Sequence, residues 1–153
     1  MTEHSITVAD AGPMVHATLR LPGCPPDRAL AAFTDPGTLI RWWSGELTTN
    51  MSVGSPYSVH FPQHGQTMTG VVLSYEPASR LEFTWAWDNE PEEVSRTVLV
   101  TVGAGTGFDG TELTVVHGPH GDSEAELAAR KGHRDGWEYF LPRLAAVLSQ
   151  PGG

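Results

Sequence analysis

Seven histidines carry side chains whose ordinary pKa lies near neutrality, and they are the first candidates for acid–base chemistry in this sequence. His117 is the most informative, because it follows Leu113 and Val115 at the two-residue spacing of one strand face. If that face is the inner one, we expect the imidazole at the mouth of an interior cavity, hydrogen-bonded within the protein or in contact with a ligand. A catalytic base needs an orienting partner, and no spacing reveals one, so we predict no catalytic residue.

Other kinds of reactive centre find little support in the sequence. The histidines form neither an HxH nor an HExxH arrangement, so we predict no metal site. Cys24 is the single cysteine and has no histidine or lysine nearby in sequence, which favours a small buried or loop residue over a nucleophile. The glycines of segment 103–107 join two predicted strands and open no helix, unlike a phosphate-binding loop. We therefore predict no cofactor.

Aromatic residues form the largest set of candidate ligand contacts. Phe83 and Trp85 share one face of a predicted strand, as Tyr57 and Phe61 share one face of another, and such faces line either a packed core or a pocket. Arg96 is in phase with the valines of its strand. If that face is interior, its charge is paired or meets a polar ligand group, and otherwise Arg96 is an edge residue that reaches water. We expect ligand contacts from Trp42, Trp43, Tyr57, Phe61, Phe83, Trp85, Arg96, His117, Trp137, Phe140 and Leu141.

The elements that position these residues follow from periodicity. An alternating run predicts a first strand at Met14–Leu21, and short apolar stripes predict two small helices within Asp27–Thr34 and Gly37–Trp42. Trp137 and three leucines spaced 4, 3 and 4 residues apart predict a long amphipathic helix over Asp122–Ser149, capped by Asp122 or Ser123. Between these helices the sequence predicts antiparallel strands at Pro56–Phe61, Gln66–Tyr75, Arg80–Trp87, Val94–Val102 and Thr111–His117.

This order of elements is typical of an α+β fold. A bent antiparallel sheet and a helix with one apolar face bury their surfaces when the helix lies across the concave face of the sheet. Because a curved sheet and a helix do not fill the space between them, we expect an apolar cavity there, which is a natural ligand site.

Four segments, taken in order, resemble a known family: Ala32–Trp43, Gly70–Trp85, Gly110–His117 and Gly136-Trp137. They are similar to the heat-shock protein 90 ATPase activator homologue branch of the START-like, or SRPBCC, superfamily, over about residues 14–148. The resemblance implies a helix-grip (Bet v-like) fold, in which a curved antiparallel sheet wraps around a long C-terminal helix and two short helices follow the first strand.

The resemblance also implies a range of functions. Members of the superfamily bind lipids, sterols, polyketides or hormones, and a minority cyclise or dehydrate bound polyketides. We expect a protein that encloses a small lipid-, aromatic- or polyketide-like molecule, with binding rather than turnover as the default. Two alternatives stay open: a polyketide cyclase or dehydratase that uses a cavity histidine or tyrosine, and a protein-interaction module that acts on a chaperone ATPase.

Composition limits the partners and the compartment. The 153 residues fit one domain, and a net charge of −9 disfavours binding to nucleic acid or to anionic lipid. The N-terminus has no secretory signal pattern and the single cysteine forms no internal disulfide, so we expect a cytoplasmic protein. A symmetric homodimer stays open, because the sequence does not identify the edge strands.

Overall fold

The computed structural model describes residues 5–43, 45–47, 52–62, 65–88 and 96–149. They form eight strands and three helices in one chain order. The strands are β1 Ser5–Ala11, β2 Met14–Pro22, β3 Glu46–Leu47, β4 Pro56–Phe61, β5 Gln66–Glu76, β6 Arg80–Trp87, β7 Arg96–Ala104 and β8 Gly110–Gly118. The helices are α1 Pro26–Ala31, α2 Pro36–Trp43 and α3 Glu124–Leu148. None of the described helices is long and apolar enough to span a membrane.

The strands form one antiparallel sheet in the order β1-β2-β8-β7-β6-β5-β4-β3. Successive strands from β3 to β8 pair as hairpin neighbours, and β2 joins the sheet beside β8. The register shifts between Val72 and Ser74, and such irregularities bend and twist a strand. The alternation of buried and less buried residues along β6, β7 and β8 gives the sheet one inner face.

Helix α3 begins where the sequence predicts. The side chain of Ser123 accepts a hydrogen bond from the backbone N–H of Glu126 at 3.1 Å, which makes Ser123 the N-cap. The helix runs through Gly132 and Pro142 without a break. It packs against β1, β2 and α2, with a buried stripe made of His133, Trp137, Leu141, Leu144, Ala145, Val147 and Leu148.

The predicted α+β helix-grip fold is confirmed, with one correction near the N-terminus. The two short helices follow the second strand, because Ser5–Ala11 forms an additional strand that pairs with β2. This strand is weakly patterned, since its inward side chains Ile6 and Val8 are only partly buried. The predicted turns at 63–65 and 89–91 and the start of the predicted strand at Val94 involve residues outside the described ranges.

Candidate functional site

The aromatic residues predicted to contact a ligand meet between the inner face of the sheet and helices α2 and α3. Contacts between ring centroids at 4.8–6.4 Å join them, together with Phe33 and Trp87, into one continuous set. We call this set the ring layer; its members are Phe33, Trp42, Trp43, Tyr57, Phe61, Phe83, Trp85, Trp87, Trp137 and Phe140.

Trp85 is the centre of the ring layer. The alternation of β6 turns Phe83 and Trp85 inward, and the Trp85 side chain lies 6.0 Å from Trp43 and 5.8 Å from Trp137, centroid to centroid. It also contacts the imidazole of His117 at 4.9 Å. Trp85 therefore links helix α2, helix α3 and strand β8 through ring contacts.

Tyr57, Phe140 and Leu141 are three predicted site residues that have structural partners within the fold. The hydroxyl of Tyr57 donates to the carbonyl oxygen of Thr84 at 2.5 Å, and burial raises the pKa of this phenol well above its ordinary value. Tyr57 is therefore held as a hydrogen-bond donor. Leu141 is fully buried in the stripe of α3, whereas Phe140 is partly buried and packs on Phe61 at 6.1 Å.

Arg96 lies inside the protein, so the edge-residue alternative is wrong. Its side chain is 1% exposed and donates to the carboxylate of Glu126, on the first turn of α3, at 2.5 Å. The backbone N–H of Gly121 donates to the other oxygen of this carboxylate at 2.9 Å. The Gly121 N–H and the Arg96 guanidinium hold the pKa of Glu126 below its ordinary value. The buried cation is thus paired with a carboxylate.

Three buried histidines meet beside the ring layer: His117 from β8, His120 from the segment after β8, and His133 from α3. One side-chain nitrogen from each lies within 4.8 Å of the others. Spacing in the sequence did not predict this group, because only the fold brings helix α3 against the end of β8. The alternation of side chains along β8 predicts an inward position for His117 but says nothing of His120 and His133.

Hydrogen bonds define the tautomers of His120 and His133. His120 Nδ1 lies 3.0 Å from the carbonyl oxygen of Pro13 and must donate to it, which leaves Nε2 as an acceptor. His133 Nδ1 donates to that Nε2 at 2.9 Å, and His133 Nε2 accepts from the indole N–H of Trp87 at 2.9 Å. Every nitrogen of these two imidazoles therefore has a partner within the protein.

His117 is different, because one of its nitrogens is left over. Its Nδ1 accepts from the indole N–H of Trp137 at 3.1 Å, so the proton of the neutral imidazole sits on Nε2. This Nε2 is buried and has no hydrogen-bond partner among the described residues. Burial, followed by electrostatic repulsion from the His133, His120 and Arg96 side chains, holds the pKa of His117 well below its ordinary value. At neutral pH the group is an uncharged N–H donor.

The three-histidine group does not fit a metal ion in this hydrogen-bonding state. A metal needs an imidazole lone pair, and His120 would offer one at Nε2, with Nδ1–H oriented by Pro13. In His117 and His133, however, an indole N–H already holds one nitrogen, so the other carries the proton. Two of the three inward nitrogens are donors, and we derive no metal chemistry from the group.

Two tryptophans also carry unpaired donors. The indole nitrogens of Trp43 and Trp85 are buried and have no hydrogen-bond partner within the described ranges, as is true of His117 Nε2. By contrast, the indole of Trp42 donates to the carbonyl oxygen of Ala32 at 3.0 Å. An unsatisfied buried donor costs about 1–3 kcal/mol, so three on contacting rings call for an explanation.

The geometry and the folding pattern together define a class of protein. An antiparallel sheet with a long C-terminal helix packed on its inner face, around an aromatic interior, is the helix-grip architecture of START-like proteins. The family model for activator of Hsp90 ATPase homolog 1-like proteins matches residues 23–149, and the chain belongs to this family.

Solved structures agree with this fold. DynU16, from the dynemicin biosynthetic locus, is 28% identical, with a TM-score of 0.75 over 92% of this chain and 48% of its own. The chain thus spans about half the length of DynU16. Protein CV1439 from Chromobacterium violaceum is 21% identical, with a TM-score of 0.75, 90% of this chain and 98% of that chain covered. PFC0360w, an HSP90 activator from Plasmodium falciparum, is 22% identical, with a TM-score of 0.72, 92% of this chain and 99% of that chain covered. A search of the curated proteins gave no match.

Proposed function

We propose that this protein binds a small, flat, apolar molecule that inserts into the ring layer between the sheet and α3. The observation that carries the proposal is the chemistry of this interface, which is filled by contacting aromatic rings that converge on Trp85. Aromatic faces stack on flat ligands and gain more than their buried area alone provides. The origin of the similar protein DynU16 in a biosynthetic locus supports a small-molecule ligand.

Binding at this place requires a movement of α3 relative to the sheet. Trp43, Trp85 and Trp137 are each no more than 4% exposed, so their neighbours enclose them. A ligand that separates these rings exchanges ring–ring contacts for ring–ligand contacts. Because association must wait for this opening, we expect slow binding compared with an open cleft.

The same geometry favours binding over turnover. A cyclase or dehydratase mechanism needs a base with a free lone pair. The ring nitrogens of His120 and His133 are instead hydrogen-bonded to each other, to the carbonyl oxygen of Pro13 and to the indole of Trp87. His117 can polarise a carbonyl oxygen through Nε2–H, but it cannot take a proton there while Trp137 holds Nδ1. The Tyr57 hydroxyl is engaged by Thr84.

Native mass spectrometry of the protein from its source organism tests the proposal, with extraction of whatever co-purifies. We expect one discrete small mass per chain that is released on denaturation. A folded Trp137→Ala variant should lose most of this mass, since it removes a ring from the layer. Tyr139→Ala is the matched control, because Tyr139 lies on the same helix and is 56% exposed. Equal retention by both variants would contradict the proposed location.

A second candidate function is docking on another protein, as the family description suggests. Val53, Val71 and Leu73 are 36–56% exposed, and Val53 pairs with Val72 beside the other two residues. These aliphatic side chains form an outward apolar patch on β5, which we call the β5 patch. If the patch docks on Hsp90, the chain should stimulate the Hsp90 ATPase and Leu73→Asp should abolish the stimulation. An absence of stimulation by the unaltered chain would exclude this candidate.

A further inference from the structure

Three aromatic or imidazole rings inside this protein carry an N–H donor that no described residue satisfies: the indoles of Trp43 and Trp85 and Nε2 of His117. They belong to rings in direct contact, since Trp85 lies 6.0 Å from Trp43 and 4.9 Å from His117, centroid to centroid. Buried polar groups of folded proteins are nearly all hydrogen-bonded, so three unpaired donors on adjoining rings mark a place prepared for an outside acceptor.

All three groups are hydrogen-bond donors. An indole nitrogen only donates, and His117 is fixed as a donor at Nε2 because Trp137 donates to its Nδ1. The neighbouring donors of Trp42 and Trp137 are already paired, with Ala32 and His117. The unpaired polar groups on the rings around Trp85 are therefore donors without a matching acceptor.

We propose that the molecule bound in the ring layer carries carbonyl-type oxygens, as a ketone, enone or quinone does, and that these oxygens accept hydrogen bonds from Trp43, Trp85 and His117. The inference rests on the proposed function and adds the chemical class of the ligand. A hydrocarbon of the same shape would leave the three donors unsatisfied. A ligand that presents its own N–H groups would place donor against donor.

A matched pair of probes separates shape from hydrogen bonding. 9-Fluorenone and fluorene have the same fused-ring frame, and the ketone oxygen is present in fluorenone alone. The full chain, labelled with ¹⁵N, is titrated with each probe while the five tryptophan indole N–H signals are followed; Trp→Phe variants assign the signals. We expect fluorenone to bind about tenfold more tightly than fluorene, the gain of one good hydrogen bond. The indole proton signal of Trp43, of Trp85 or of both should move downfield, and those of Trp42 and Trp137 should not.

Variants test the assignment of the donors. Trp85→Phe and Trp43→Phe each keep a ring and remove an unpaired N–H, so the double variant should bind the two probes with a ratio closer to one. Tyr139→Phe is the control, because Tyr139 lies outside the ring layer and is 56% exposed, so the loss of its hydroxyl should leave the ratio unchanged.

The outcomes separate the inference from the proposed function. Equal affinity for the two probes, with all five indole signals free of a downfield shift, would overturn the inference and leave apolar binding standing. If neither probe binds, both the inference and the proposed function are overturned for flat aromatic ligands. A preference for fluorenone that survives in the double variant and in His117→Phe would also overturn the assigned donors.

Discussion

His133 is the residue in which burial changes protonation most clearly. Desolvation, together with the charges of His120 and Arg96, lowers its pKa to about 3. Burial also lowers the pKa of His120, and it holds the pKa of His117 well below its ordinary value. All three imidazoles are therefore uncharged at neutral pH, which is the state that their hydrogen bonds require.

These three imidazoles should make the free energy of unfolding decrease as the pH is lowered. Each folded-state pKa lies below the unfolded value of about 6.5, so the unfolded chain takes up protons first as the pH drops. Their contribution is complete above about pH 6.5 and is lost progressively toward pH 3. His133 alone should reduce the free energy of unfolding by about 2 kcal/mol between pH 7.5 and pH 5.

Urea denaturation at pH 7.5 and pH 5.0 measures this decline. His133→Gln should make it shallower, because one titrating group is removed and an amide remains to bond Trp87 or His120. His16→Gln, at an exposed position on β2, should keep the decline of the unaltered protein. The same free energy at both pH values would mean that the imidazoles are not held neutral by the fold.

Single residues differ in how far the sequence could predict them. The inward direction of Phe83, Trp85 and His117 follows from strand alternation, and the structure agrees. The pairing of His120 with His133 could not be predicted, because it depends on where α3 meets the end of β8. The free Nε2 of His117 depends in turn on the indole of Trp137, a contact between two elements.

At the scale of elements, two glycines have opposite roles. A Cβ at Gly70, on β5, would lie 2.1 Å from the carbonyl oxygen of Thr84 and 2.7 Å from Cε1 of Tyr57. A Cβ at Gly132, on the exposed side of α3, would meet nothing within 4 Å. Gly70 is therefore needed for close packing of β5 on its neighbours, whereas Gly132 only weakens the helix.

Alanine substitutions should therefore change stability in opposite directions. Gly70→Ala should destabilise the protein by about 1–3 kcal/mol through overpacking. Gly132→Ala should stabilise it by about 1 kcal/mol, because alanine is the better helix former. Calorimetric melting of both variants measures the two shifts, and a higher Tm for Gly70→Ala or a lower one for Gly132→Ala would contradict this packing.

Most elements could be predicted because their patterns are strong. Helix α3 has a capping serine and a spaced apolar stripe, and both are present where expected. Strand β1 could not be predicted with the same ease, since Ser5–Ala11 has only Ile6 and Val8 turned toward the core. Strand β1 forms because it pairs with β2, and its own residues do not show a strong alternating pattern.

At the scale of the whole molecule, the net charge limits the charge of a ligand, and the ring layer limits its hydrogen-bonding groups. A net charge of −9 repels anions at long range, while the ring layer offers N–H donors to an acceptor. A neutral carbonyl oxygen meets both conditions, whereas a carboxylate meets only the second. The fold family leaves this choice open, since one fold supports many functions and the site residues decide between them.

Intermolecular nuclear Overhauser effects from bound 9-fluorenone test the central claim, which is that a flat ligand lies within the ring layer. The account predicts effects from the probe's ring protons to the side chains of Trp85 and Trp137, at one probe per chain. Effects confined to the methyl groups of the β5 patch, Val53, Val71 and Leu73, would place the ligand on the outside of the sheet and contradict the account.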